Sequence, residues 1–333
     1  MNRIAVIGAG AWGTALAAVA RRAGREVRLW AREPEVVAAI NERHENPVYL
    51  AGITLDPEIV ATNKLEDAVD GAEAVLLVTP AQHSRAVAVE LAAHVPPSVP
   101  TLICSKGIEE GTGKLMSEVL AQLAPGRAVG VLSGPTFAGE VARGLPTAIT
   151  LAADAEGLGR TLVKALGSAT FRPYWSPDVI GAQIGGAVKN VLAIACGIVE
   201  GRKLGDNARA ALITRGLAEI VRLGLAKGAR TETLFGLSGL GDLALTCTGP
   251  QSRNMSLGMA LGAGETLEAI LGKRNTVAEG VYTAASVTAL ASRLDVEMPI
   301  ASAVNAILHQ GAAIDEVVAG LLARPFKAEG DLG

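Results

Sequence analysis

The chain has 333 residues, half of them apolar and only 3% aromatic, with a formal net charge of -3. At roughly 100–200 residues per domain this length predicts two domains, each burying a core of Ala, Val, Leu and Ile. The near-balanced charge gives a polyanion-binding surface no support, so no nucleic-acid partner is expected, while leaving room for a local anion site. Three dispersed cysteines (Cys104, Cys196 and Cys247) exclude a disulfide framework and predict buried thiols in a reducing compartment.

The first half alternates strand-like and helix-like segments. Residues 4–7 form a short β-branched run, 15–23 an Ala-rich helical stretch, 26–30 a second strand and 34–43 a second helix. Residues 74–79 (AVLLVT) are continuously apolar and stop at Pro80. Further short runs occupy 101–105, 128–132, 147–152 and 171–174. Continuous apolar strands alternating with helices predict a parallel sheet covered on both faces. After about Ser176 the strand-like runs cease and the chain becomes Ala-, Leu- and Gly-rich with helical periodicity. We therefore expect an N-terminal α/β domain over 1–180 and an all-α domain over 181–330.

Arg3, the apolar stretch after it and Ala18-Val19-Ala20 superficially match a secretory signal. Gly8, Gly10 and Gly13 interrupt the segment where a signal helix would run. With no apolar run of about 20 residues, no membrane span is expected, and the expected location is the cytoplasm.

Gly8-Ala9-Gly10-Ala11-Trp12-Gly13 is a GxGxxG sequence between a strand and a helix, the context a dinucleotide site requires. Gly8 permits the tight turn, Gly10 lets backbone approach a pyrophosphate, and Gly13 lets helix pack on strand. The helix N-terminus offers N–H groups to the phosphates. The first domain is thus expected to be a Rossmann-type, doubly wound sheet. At the end of the second strand stands Arg32, whose forked donors suit a 2′-phosphate. This favours NADPH, the alternative being a merely solvated arginine, and Glu33 keeps NADH use open.

The segment 181–200 is apolar nearly all round except for Lys189-Asn190. A buried ammonium is expensive unless paired or facing a ligand. Lys189 is therefore either a structural ion-pair site or a general acid/base whose pKa burial lowers. Lys106 follows a strand, at the edge where such sheets bind ligands; otherwise it is an exposed loop lysine. Gly134 and Thr136 follow another strand, as a ligand edge or a structural turn. The Gly-rich 236–241 leads to Asp242, which pairs with Lys189, binds a substrate hydroxyl or caps a helix. Ser252, Arg253 and Asn254 open an Ala/Leu/Gly-rich helix and together suit a phosphate monoester; the alternative is an ordinary helix cap. Glu279 is an acidic residue before a glycine. His44, His83, His94 and His309 lack metal-ligand spacing, so no metal is expected.

Together these segments resemble the bacterial-type NAD(P)-dependent glycerol-3-phosphate dehydrogenase family. The likeness runs through GAGAWGTALA (8–17), SKGIE (105–109), SGPTFAGE (133–140), AVKNVLAIACG (187–197), ALITRGLAEI (211–220), GLSGLGDLALTCTGPQSRN (236–254), VAEGVYTA (277–284) and VEMPI (296–300). The resemblance implies reduction of dihydroxyacetone phosphate to sn-glycerol 3-phosphate, for glycerolipid synthesis. It implies cofactor contacts at Trp12, Arg32, Lys106, Ala138, Arg253, Val277 and Glu279. It implies substrate contacts at Lys106, Gly134, Thr136, Asp242, Ser252, Arg253 and Asn254, with Lys189 as proton donor and acceptor. Thr136 stands where many relatives carry Ser, and the hydroxyl is kept. Two other readings remain open to the sequence: a β-hydroxyacid-type reductase and a non-catalytic NADPH sensor. The helical half is a candidate surface for a homodimer.

Overall fold

The apolar runs of the first half become strands buried on both faces. A computed structural model describes residues 1–273 and 278–326, and it places Val277 outside the described residues. In chain order the strands are β1 (Arg3–Ile7), β2 (Glu26–Trp30), β3 (Glu45–Asn46), β4 (Leu50–Thr54), β5 (Ile59–Thr62), β6 (Ala74–Leu77), β7 (Thr101–Ile103), β8 (Val129–Ser133), β9 (Thr147–Ala153) and β10 (Phe171–Ser176). Among the described residues, β3 and β4 pair with each other, and the other eight form one sheet in the order β10-β9-β8-β7-β6-β1-β2-β5. The order reverses at β1, which has β2 on one side and β6 on the other. The crevice beyond the carboxyl ends at such a switch point is where doubly wound sheets take ligands.

Two features depart from the sequence reading. The sheet is not wholly parallel, because β9 runs antiparallel to β8 and β10 follows β9 in parallel. The link 134–146 carries only the short helix Ala138–Ala142, and it turns the chain straight back. A Cβ on Gly134 would lie 3.0 Å from the Ile149 side chain, so β9 returns against the end of β8. An apolar run reports burial on two faces and carries no information on direction. The strands β3, β4 and β5 were also not foreseen, since Pro47, Gly52 and Pro57 break their short apolar runs.

Contacts divide the chain into two units: Met1–Ser105 with Met116–Val179, and Lys106–Leu115 with the described residues from Ile180 on. Residues 106–115 lie inside the expected N-terminal domain, yet Ile108 and Leu115 are buried in the core of the helical unit. At the centre of that core runs the helix Val179–Gly201. It is 23 residues long; its most apolar 18-residue stretch has a mean hydropathy of 1.5, apolar enough by length and composition to cross a membrane, and 94% of that stretch is buried in the protein. Gln183, Lys189 and Asn190 interrupt its apolar run, and its burial makes it the core helix of this unit.

Glycines bring the helix Arg253–Gly262 against this central helix. A Cβ on Gly197 would stand 2.1 Å from the Met255 carbonyl oxygen, and one on Gly258 would stand 2.1 Å from that of Ile194. Backbone touches backbone, a density that larger residues would prevent. The Gly-rich character of the second half is thereby explained at these positions by packing.

Candidate active site

The glycine turn of the first unit is built as its spacing demands. Gly8 has φ 117 and sits against the backbone of Val78 and Thr79, so a side chain there meets both strain and atoms. A Cβ on Gly13 would lie 1.7 Å from the Gly8 carbonyl oxygen. Gly10 differs: among the described residues, a Cβ there would meet nothing within 4 Å. The fold needs glycine at 8 and 13, whereas at 10 the described residues leave room for a side chain, an opening that fits close approach by a bound group. Gly10 also precedes the helix Ala11–Arg22, which has no side-chain cap and no acidic residue in its first turn. Open N–H groups and a positive dipole end there fit a dinucleotide pyrophosphate. The indole Nε1 of Trp12 is buried without a partner.

Arg32 lies just past β2, 79% exposed at its side chain, and donates twice to Glu33 Oε1 at 3.2 and 2.9 Å. Tyr49 also donates to that oxygen at 3.3 Å. Past β8, Thr136 Oγ1 bonds the Gly134 carbonyl at 3.1 Å, and Ala138 opens the helix Ala138–Ala142. Gly8, Gly10, Trp12, Gly13, Arg32, Gly134, Thr136 and Ala138 thus all lie in the sheet unit, at the carboxyl ends of its strands or just beyond them.

The helical unit gathers the charged candidates. Lys189 Nζ donates to Asp242 Oδ1 at 2.5 Å and to Thr246 Oγ1 at 2.8 Å. Lys106 Nζ donates to Asp242 Oδ2 at 2.7 Å. Asp242 is fully buried and Lys189 is 5% exposed. Two ammonium groups on one carboxylate leave a buried excess of positive charge. Burial is the strongest influence on Lys189 and lowers its ammonium to about 8; Asp242 pushes it up and Lys106 pushes it down. A lysine near that value can both give and take a proton close to neutral pH.

Local backbone delivers Asp242. Leu237–Gly241 forms a π turn directly before the helix Asp242–Thr248, a distortion frequent at functional sites. A Cβ on Gly239 would stand 1.8 Å from the Leu234 carbonyl oxygen, and one on Gly185 would stand 2.4 Å from that of Ser238. These glycines let backbone approach backbone and so bring the carboxylate beside Lys189. Thr246, one turn on, bonds the Asp242 carbonyl at 2.6 Å while accepting from Lys189.

An amide relay joins this cluster to the start of the helix Arg253–Gly262. Gly280 N–H donates to Asn254 Oδ1 at 3.0 Å, Asn254 Nδ2 to Asn190 Oδ1 at 2.9 Å, and Asn190 Nδ2 to the Lys106 carbonyl at 3.0 Å. A backbone donor at one end and a backbone acceptor at the other fix how both amides point. Ser252 caps the helix Arg253–Gly262 by accepting from Met255 N–H at 3.2 Å. Arg253 is exposed in the first turn, and Glu279 begins the helix Glu279–Arg293. The cap alternative is therefore real for Ser252, whose hydroxyl proton remains to donate.

Sequence reasoning missed Thr246, the linking role of Asn190, and Glu219. The i, i+4 spacing of Asp242 and Thr246 on one helix was a usable signal. Glu219 is almost fully buried and accepts from Ile300 and Ala301 N–H at 2.6 and 3.1 Å, capping the helix Pro299–His309. Burial pushes its carboxyl up to about 7. Nothing in a helical ALITRGLAEI segment marks that partner. Cys104, Cys196 and Cys247 are buried thiols.

A glycine-turn dinucleotide sheet and a helical unit with a buried Lys–Asp–Lys cluster define the class of two-domain nicotinamide-dependent dehydrogenases. The models for the N- and C-terminal parts of NAD-dependent glycerol-3-phosphate dehydrogenase match residues 3–158 and 178–319, and the chain belongs to that family. It is 61% identical to the glycerol-3-phosphate dehydrogenase (NAD(P)+) of Parvibaculum lavamentivorans, with 98% of each chain covered. The enzyme of that name from Rhodospirillum rubrum is 60% identical over 99% of this chain and 95% of its own. The crystal structure of glycerol-3-phosphate dehydrogenase from Coxiella burnetii superimposes with a TM-score of 0.93 at 40% identity, covering 97% of this chain and 99% of that one.

Proposed function

We propose that this chain interconverts dihydroxyacetone phosphate and sn-glycerol 3-phosphate, working with NADPH or NADH and supplying the backbone of glycerolipids. The observation that carries this reading is the buried cluster in which Lys189 and Lys106 share Asp242. The nicotinamide cofactor, when bound, supplies or accepts the hydride. Gly8, Gly10, Trp12, Gly13, Arg32 and Ala138 hold it on the sheet unit, with Lys106, Arg253, Val277 and Glu279 contributing from the rest of the chain. Arg32 favours the 2′-phosphate of NADPH.

The substrate phosphate is held by Ser252, Arg253 and Asn254, at the N-terminus of a ten-residue helix. Gly134 and Thr136 line the substrate site. Lys189 gives its proton to the oxygen on C2 as that oxygen becomes an alkoxide, and takes it back in the oxidation. Asp242 keeps Lys189 aimed, and the Lys106 ammonium adds positive charge where the alkoxide develops. Asn190 holds the Lys106 backbone in place. Three buried thiols suit the cytoplasm.

The test is consumption of NADPH and NADH, followed at the nicotinamide absorbance band. Oxidation of the cofactor with dihydroxyacetone phosphate, and not with a panel of keto acids, is expected. Turnover of keto acids alone would point to a β-hydroxyacid-type reductase.

A further inference from the structure

We propose that Arg293 is a positioning residue for this reaction: it fastens the tip of the arm 106–115, and through that arm holds Lys106 against Asp242. The inference rests on the function proposed above.

The arm leaves the sheet unit after Ser105 and rejoins it at Met116. Lys106 stands at its root. Ile108 and Leu115 form an antiparallel bridge, both fully buried in the helical core. Beyond that bridge the arm closes on itself. Glu109 N–H donates to the Lys114 carbonyl at 3.0 Å, Gly113 N–H to the Glu109 carbonyl at 2.9 Å, and Thr112 Oγ1 to Glu109 Oε2 at 2.5 Å. At the tip, Arg293 Nη1 donates to the Thr112 carbonyl at 2.8 Å. The guanidinium lies on Gly113, where a Cβ would stand 1.7 Å from Nη2. Any other residue at 113 would displace Arg293 or the tip.

Arg293 is the last residue of the helix Glu279–Arg293. The first turn of the same helix anchors the amide relay, through Gly280 N–H, that ends on the Lys106 carbonyl. One helix therefore grips the arm at both ends, root and tip. A single bond from an exposed guanidinium contributes modestly to folding. A reacting group displaced by about 1 Å loses on the order of a hundredfold in rate. Loosening the tip therefore affects the position of Lys106 more than the stability of the unit.

The test compares Arg293→Gln, Gly113→Ala and the conservative Arg293→Lys with the parent enzyme. Four properties are read: melting temperature, kcat and KM with dihydroxyacetone phosphate, the pH dependence of kcat, and amide hydrogen exchange of residues 106–115 without substrate. Arg293→Gln and Gly113→Ala are expected to melt within about 4 °C of the parent while kcat/KM falls roughly tenfold. Exchange across the arm should quicken. The alkaline limb of the reduction should move to higher pH, because Lys106 no longer pushes Lys189 down. Arg293→Lys should recover part of each change. Parent-like rates, pH limb and exchange in both variants would overturn the proposal. So would a loss of rate fully matched by a loss of folded protein. If the parent enzyme fails to reduce dihydroxyacetone phosphate, the proposed function falls, and the exchange rates alone decide whether Arg293 fastens the arm.

Discussion

Lys189 donates to Asp242 at 2.5 Å in a site where the carboxylate is fully buried. Lys106 occupies the other carboxylate oxygen at 2.7 Å. The pair is thus one negative charge serving two positive ones, and Asp242 sets the separation of both ammonium groups.

Asp242→Asn should therefore be costly twice over. It leaves two neighbouring ammonium groups without their anion, and breaking a buried pair typically destabilises by about 3–5 kcal/mol. Chemical denaturation should register that loss, and turnover should fall with it. A variant with parent-like stability and rate would mean that the carboxylate is dispensable.

The pH dependence follows from Lys189, held at about 8 chiefly by burial. In the proposed mechanism reduction needs the ammonium, so its kcat should fall as pH rises through about 8. Oxidation of sn-glycerol 3-phosphate needs the neutral amine, so its kcat should rise over the same range. Stability has its own sign. The folded pKa lies below the unfolded one near 10.5, so the penalty of burying the ammonium is complete below about 8. It is relieved as pH climbs toward 10.5. Relative to a Lys189→Met variant, the parent should gain stability across that window. Identical profiles for the two would contradict the assignment.

The three glycines of the first turn should separate fold from ligand. Gly13→Ala drives a Cβ into the Gly8 carbonyl and is expected to lower the melting temperature strongly. Gly10→Ala meets nothing within 4 Å among the described residues, so it should melt like the parent and lose affinity for NADPH. Fluorescence titration of NADPH beside thermal melts distinguishes them. Equal behaviour of the two variants would remove the argument that Gly10 is kept for a ligand.

The proposed reading gives cofactor choice to Arg32, which already bonds Glu33 twice. A 2′-phosphate must draw that guanidinium away from the carboxylate. Arg32→Ala should raise the KM for NADPH by about tenfold or more and leave that for NADH nearly unchanged, a charge-assisted contact being worth roughly 1.5–3 kcal/mol. Equal effects on both cofactors would assign Arg32 a structural role.

Much of this was legible in the sequence where a residue type has one physical use. Gly8 and Gly13 are forced by backbone contact, and Lys189 declared itself as the one cation in an apolar helix. What escaped depends on partners distant in the chain. Glu219 reads as an ordinary helical carboxylate until Ile300 and Ala301 arrive at it. The reversal of β9 depends on how the chain turns at Gly134, which apolar runs do not encode. Residues 106–115 read as a loop after a strand, and only the burial of Ile108 and Leu115 places them with the helices.

The most direct measurement is the turnover of Lys189→Met beside its affinity for NADPH. Lys106 remains to pair Asp242, so the variant should fold. Loss of the proton donor is expected to lower kcat by about 10²- to 10⁴-fold with NADPH binding unchanged. Near-parental turnover in a folded Lys189→Met enzyme would contradict the account at its centre.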